Sequence, residues 1–295
     1  MSKVDVFRHF LIYLQDMFSA GSEVLQTATQ FTHHPVHFSQ VTIVLPDFWS
    51  ESDCGETVMK PTGNTLYKHA DMLITSSGPR HVTQGSTCGE PGHVIKMPVS
   101  QLLDARRSKT LGNILVSEWS KYRYGVFSEH GSAGDKLYPN YYHSHGNIYP
   151  TGPSNTVLTG SWRYANSSTG CDPTQDTCHY HVEGANTGVT CSLNNVPELE
   201  TVSGWCSEQE AGQHGPSMQS VLCSGRSVRQ VISEHHDFVS HSSRQEPLAQ
   251  PLVSSQVQFD IVRVPGPKYV LVIETSARMV AVWQCVRKAI VNLLR

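Results

Sequence analysis

The chain has 295 residues, enough for one large domain or two ordinary ones and long enough to bury a real core. Lysine and arginine total 22 against 25 acidic residues, a net charge of −3, so no basic excess draws the chain to nucleic acid. Charged residues make up only 16% of the chain, against about 25% in an ordinary soluble domain, and polar Ser, Thr, Gly, His and Asn take their place, which suits extracellular loops. No run approaches the roughly 18–20 apolar residues of a membrane span, because Arg263, Lys268, Glu274 and Arg278 interrupt the apolar C-terminal part.

In chain order, Val6, Phe7, Phe10, Leu11, Tyr13, Leu14, Met17, Phe18, Val24 and Leu25 follow helical spacing and predict a first helix ending near Thr29. Its longest apolar run, Phe10 to Leu14, is too short for a signal peptide. Val41 to Leu45, closed by Pro46, and Ala70 to Thr75, followed by Ser-Ser-Gly-Pro, read as strands. Residues 80–97 read as irregular, with a turn at Cys88 to Gly92 and a short strand at Val94-Ile95. A second helix is expected from about Thr110 to Tyr122. Residues 128–215 are rich in turn formers and poor in periodicity, which predicts a loop-dominated region. Ser227 caps an expected amphipathic helix running to Phe238. Gln245 to Pro251 reads as a linker, Ser255 to Ile261 and Lys268 to Glu274 as strands, and Met279 to Leu294 as a helix.

Eight cysteines are present, and six of them, Cys88, Cys171, Cys178, Cys191, Cys206 and Cys223, lie in the turn-rich middle of the chain. Their spacing fits no zinc ribbon, so disulfides and an oxidising compartment are expected, with the pairing open. Cys54 and Cys285 are expected to stay unpaired. The triplet Asn166-Ser-Ser168 is a glycosylation candidate. The absence of an export signal from such a chain is most simply resolved by a fragment or shortened gene product lacking its leader.

The segment Val116-Ser-Glu-Trp-Ser-Lys-Tyr-Arg-Tyr-Gly-Val-Phe-Ser-Glu129 carries most of the functional information. Its spacing resembles a zincin helix, in which two His at i and i+4 share one face with a Glu between them. More specifically, it resembles the N-terminal metallohydrolase domain of the calcium-activated chloride channel regulator family, with the pattern His-Glu-x-x-His-x-x-x-Gly-x-x-Asp-Glu. Asp16 to Ala20, Val41 to Trp49, Thr87 to Gly92, Tyr124 to Phe127 and Cys223 to Ser233 follow in family order, so the resemblance covers essentially the whole chain. Glu118, Gly125 and Glu129 match the pattern. Ser117, Lys121 and Ser128 replace the three residues that the resemblance identifies as metal ligands.

Catalytic zinc needs about three protein ligands, with a further position for the water it activates. Here the helix offers a carboxylate, no imidazole and an ammonium. At an effective dielectric near 20, two unit charges ~4 Å apart interact by about 4 kcal/mol, so Lys121 would repel a dication. The competing view makes Trp119, Tyr122 and Tyr124 core residues and Glu118 an ordinary solvated carboxylate. Substitute ligands would have to come from His130, or from His143 and His145. His33-His34 and His235-His236 read as surface pairs.

The resemblance implies an α/β (α+β) chain with a zincin-like domain over residues 1–245, a linker and strand over 246–267, and an incomplete start of a von Willebrand factor A domain over 268–295. In the last segment Glu274, Ser276 and Arg278 match that domain's metal loop loosely. The implied function is a catalytically inactive, secreted regulator family member that binds a protein at the cell surface, a chloride channel among the candidates, without cofactor, nucleic acid or transmembrane segment. The alternative is a zinc-dependent, self-cleaving metallopeptidase that uses substitute ligands. Because Glu118 and Lys121 are three apart on one helix, a sheltered ion pair is expected where the metal would otherwise sit.

Overall fold

The computed structural model describes residues 3–32, 34–45, 69–104, 108–165, 167–183, 186–211, 214–239 and 256–263. Cys54, the linker, the A-domain segment, Asn166 and Cys285 lie outside them. Among the described residues the fold is mixed α/β, with small sheets and no barrel.

Two long helices form its centre. Helix α1 (Lys3–Ala28) buries Leu11, Leu14, Met17, Val24 and Leu25, the stripe its periodicity predicts. A second helix (Ser108–Tyr124), here α3, buries Leu111, Ile114, Leu115 and Val116. The two meet at Gly21 and Gly112: a Cβ on Gly112 would come within 2.8 Å of the Ala20 carbonyl carbon and the Gly21 nitrogen. Close helix approach therefore depends on the missing side chain. Gly112→Val is expected to destabilise the chain by about 2–3 kcal/mol, since backbone rather than a flexible side-chain end must move. Urea unfolding curves that superimpose for the variant and the parent would contradict this packing.

Strand β1 (Gln40–Leu45) pairs in parallel with the late strand Gln258–Arg263, joining chain segments more than 200 residues apart in sequence. Strands β2 (Met72–Thr75), β3 (His81–Thr83) and β4 (Val94–Pro98) form a sheet of order β2-β4-β3, parallel then antiparallel. Helix α3 packs on β3 and β4. The expected irregular stretch 80–97 thus contains two paired strands. Three-residue β3 is too short to show a period, and its partner β4 alternates intermediate and buried positions before Pro98. The six-residue helix α2 (Val99–Asp104) is likewise too short to announce itself.

The region 128–215 is more ordered than its composition predicts. Two antiparallel hairpins occupy it, β5–β6 (Tyr141–Ser144 with Asn147–Pro150) and β7–β8 (Gly160–Tyr164 with Cys178–Val182). Their aromatic cross-strand pairs, Tyr142 with Tyr149 and Trp162 with Tyr180, hold the register without an apolar alternation. All six central cysteines are paired, as Cys88–Cys223, Cys171–Cys178 and Cys191–Cys206. Cys88–Cys223 closes a sequence separation of 135 and ties the loop beside α3 to the end of the short helix Met218–Leu222. In natively secreted material these six thiols are expected to resist alkylation until reductant is added. Labelling of all six without reductant would refute the pairing.

After the short helices α4 (Glu208–Ala211) and α5 (Met218–Leu222), the expected helix from Ser227 to Phe238 divides into α6 (Val228–Ser233) and α7 (His236–Val239). Ser227 does cap it, in a capping box with Gln230. The break turns His235 inward, where its ring meets Tyr124 edge-on and is only 9% exposed. His235 is therefore a core residue and not the surface histidine its sequence context suggests, whereas His236 is exposed.

Candidate functional site

Helix α3 ends in a left-handed residue, Gly125, with φ +62°. A Cβ there would lie 2.2 Å from the Glu90 carbonyl oxygen, so the motif glycine serves both the turn and the close approach of the loop 88–92. That loop holds the helix end through Gly89 N donating to Gly125 O and Gly92 N donating to Tyr122 O. The chain beyond is clamped from two sides. Gln219 Oε1 accepts from Phe127 N at 2.8 Å, and Asn194 O accepts from Glu129 N at 3.0 Å. Asn194 is itself fixed by Trp205 Nε1, which donates to its Oδ1.

This frame buries the motif face. Ser117 and Glu118 are each 2% exposed and Glu129 is 4% exposed, so Glu118 is not the solvated carboxylate of the competing view. Lys121 Nζ lies 3.0 Å from Glu118 Oε1, as the i,i+3 spacing predicts. A second cation arrives from the loop between β2 and β3: Arg80 Nε is 3.1 Å from the same oxygen. The Arg80 guanidinium also donates to Gln101 Oε1 and to Glu198 Oε1, which fixes its plane. Burial by itself would push the Glu118 carboxyl up, but Lys121 and then Arg80 outweigh it and hold the carboxyl below its ordinary range. Its second oxygen, Oε2, is buried without a hydrogen-bond partner.

Glu129 is different. Its carboxylate accepts from the Ser192 hydroxyl, and burial pushes it up to about 7 against the opposing pull of that bond and of Lys121. Ser128 is half-buried, and its carbonyl accepts from Gln219 N. His130 is exposed, while surrounding protein and the charge of Lys121 hold its pKa below the usual value.

Glu118, Lys121 and Glu129 are thus brought into one electrostatic neighbourhood. His143 and His145 are not: both are exposed on the β5–β6 hairpin, with His145 in its turn at φ +49°. Among the described residues, the three side chains able to gather around a cation are His235, His236 and Asp237. Both oxygens of Asp237 already accept from Arg123, at 2.9 and 2.6 Å, which works against a dication there. Arg80, Ser192, Asn194 and Gln219 are site residues that sequence reasoning missed. They lie 37 to 90 positions from the ends of the motif, Ser117 and Glu129, in unrelated local patterns, and no spacing signal connects them to it.

Residues 5–245 match the family model described as calcium-activated chloride channel N terminal. The chain is 24% identical over 284 residues to calcium-activated chloride channel regulator 4 of Homo sapiens, covering 90% of this chain and 29% of that protein. It is 26% identical over 282 residues to regulator 2 of Mus musculus, with 90% and 28% covered, and 25% identical over 243 residues to regulator 1 of Homo sapiens, with 76% and 25% covered. The chain therefore spans under a third of the length of these curated relatives. No solved structure matches it. With its family model covering most of its length, the chain belongs to the calcium-activated chloride channel N-terminal family.

Proposed function

We propose that this chain is a catalytically inactive family member whose zincin-like helix keeps its fold by exchanging a metal for two internal cations. The observation that carries this reading is the joint approach of Lys121 Nζ and Arg80 Nε to Glu118 Oε1, at 3.0 and 3.1 Å. The donors do not fit zinc: Ser117 and Lys121 stand at the two imidazole positions, Ser128 at the acidic one, and the remaining carboxylate is already neutralised by ammonium and guanidinium. Glu118 then has no metal-bound water to deprotonate, and a general-base role is left without its substrate.

What remains is a rigid, disulfide-braced surface. On this reading the protein acts outside the cell, where such disulfides persist, by binding a protein partner or modulating a chloride conductance, in keeping with the names of its relatives. The domain plan, a zincin-like unit over 1–245 and an A-domain start over 268–295, belongs to the same proposal.

Elemental analysis of purified protein is expected to find well under one zinc per chain. Replacing Ser117 and Lys121 by His and Ser128 by Asp is expected to raise zinc affinity, because the helical spacing and Gly125 are intact. One tightly held zinc in the parent chain, lost on replacing His130, His143 or His145, would instead establish the metallopeptidase alternative. A folded triple variant that takes up no metal would remove the zincin reading of the helix.

A further inference from the structure

Away from the motif helix, a cleft of about 410 Å³ opens between the end of α1, the single 3-10 turn after it, and the loop 190–205. The disulfide Cys191–Cys206 and the parallel bridge between Cys191 and Gly204 brace one wall. Phe31 and Arg229 form the other. The Arg229 guanidinium carbon sits 4.5 Å from the centroid of the Phe31 ring, a cation–π stack. Arg229 is the second residue of α6, whose capping box fixes the backbone and whose Val228, Val231 and Ile232 are buried, so its root is rigid.

Among the described residues this guanidinium donates no hydrogen bond and makes no ion pair, unlike Arg80, Arg123, Arg163 and Arg226. A guanidinium held over an aromatic ring without other partners keeps N–H groups for a carboxylate, which it can hold with two parallel bonds. Thr190 and Ser203 line the same space with hydroxyls. Glu210 contributes the one other charge of the lining, near enough to feel Arg229 but not paired with it. An acidic group beside the guanidinium disfavours a multiply charged anion such as phosphate and favours a ligand carrying a cation close to its carboxylate.

We propose that this cleft binds a zwitterionic ligand of amino-acid or short-peptide chemistry, its carboxylate on Arg229 and its ammonium toward Glu210. The site is separate from the motif helix and does not depend on the function proposed for it. Stacking on Phe31 and bracing by the disulfide pre-form the site, so little ordering accompanies binding.

The test is calorimetric or ligand-observed NMR titration of the whole chain with glycine, triglycine, triglycine amide, N-acetyl-triglycine and inorganic phosphate. Triglycine is expected to bind with a Kd on the order of 1 mM. Amidating its carboxylate is expected to weaken binding about tenfold or more, and acetylating its amine a few-fold. Arg229→Gln should weaken triglycine as amidation does and leave the amide unaffected, with Arg229→Lys intermediate. Glu210→Gln should abolish the difference between free and acetylated amine. Glycine binding as well as triglycine would assign the site to free amino acids, and weaker glycine binding to peptide ends. Equal binding of acid and amide, phosphate binding better than either peptide, or no binding up to about 20 mM would overturn the proposal. Because the amide comparison uses the parent chain, this result stands even if a variant fails to fold.

Discussion

Glu129→Gln is expected to make the protein more stable at pH 8, by about 3 kcal/mol, and to leave its stability near pH 4 almost unchanged. The carboxyl is raised to about 7 in the folded chain, against about 4.5 when unfolded. Below pH 4.5 both states hold the proton and the residue contributes nothing to the pH dependence. Between 4.5 and 7 the folded state keeps a proton that the unfolded state has released, so stability falls as pH rises. Above 7 the carboxylate is ionised in both states, and the full cost of burying that charge is present. Glutamine keeps the shape and the acceptor for the Ser192 hydroxyl without the charge. Urea unfolding at pH 4.5, 6 and 8 checks this, and a variant whose stability runs parallel to the parent over that range would show that burial does not govern Glu129. Glu118 works in the opposite direction. Its lowered pKa supplies stability that is present above about 4.5 and is lost as pH falls through the folded value.

Replacing Arg80 and Lys121 together by methionine is expected to cost about 3–5 kcal/mol at pH 7, the penalty for leaving a buried charge without partners. Either replacement alone should cost less, since the other cation still lies about 3 Å from the carboxylate. The diagnostic is a third substitution. Glu118→Leu in the double variant is expected to restore much of the loss, because removing a whole buried ion cluster is far cheaper than removing half of it. The pH response should also change sign. With both cations gone, burial, the largest influence on Glu118, is opposed only by the weaker pull of His130 and raises its pKa, so the double variant should lose stability on going from pH 5 to pH 7 relative to the parent. A double variant as stable as the parent, or a triple variant less stable than the double, would mean that the cations do not hold the motif face together.

The local features could be read from residue order. The stripe of α1, the cap at Ser227, the end of α3 at Gly125 and the reach of Lys121 to Glu118 follow from spacing along one helix or one turn, so a helical period or a φ preference suffices to see them. The hairpins of 128–215 could not, because their strands are four or five residues long and their register rests on aromatic pairs across strands, which composition alone cannot distinguish from loop. Helix α6 was expected to run on because its apolar spacing does. It stops at Ser233, with Glu234 as its C-cap, and His235 beyond it packs against Tyr124, a contact 111 residues away in sequence that no local spacing announces.

By itself, then, the sequence determined that Glu118 and Lys121 share one face of a helix that ends at Gly125, and that its six central cysteines should pair. Tertiary structure alone decided that Glu118 is buried, that Arg80 joins Lys121 on it, and which cysteine meets which. The physical reason is range: helical period, capping and turn preference act over a few residues. Burial and charge pairing depend on surfaces brought together from segments 38 or 135 positions apart, and nothing in the residues between records where those surfaces will meet.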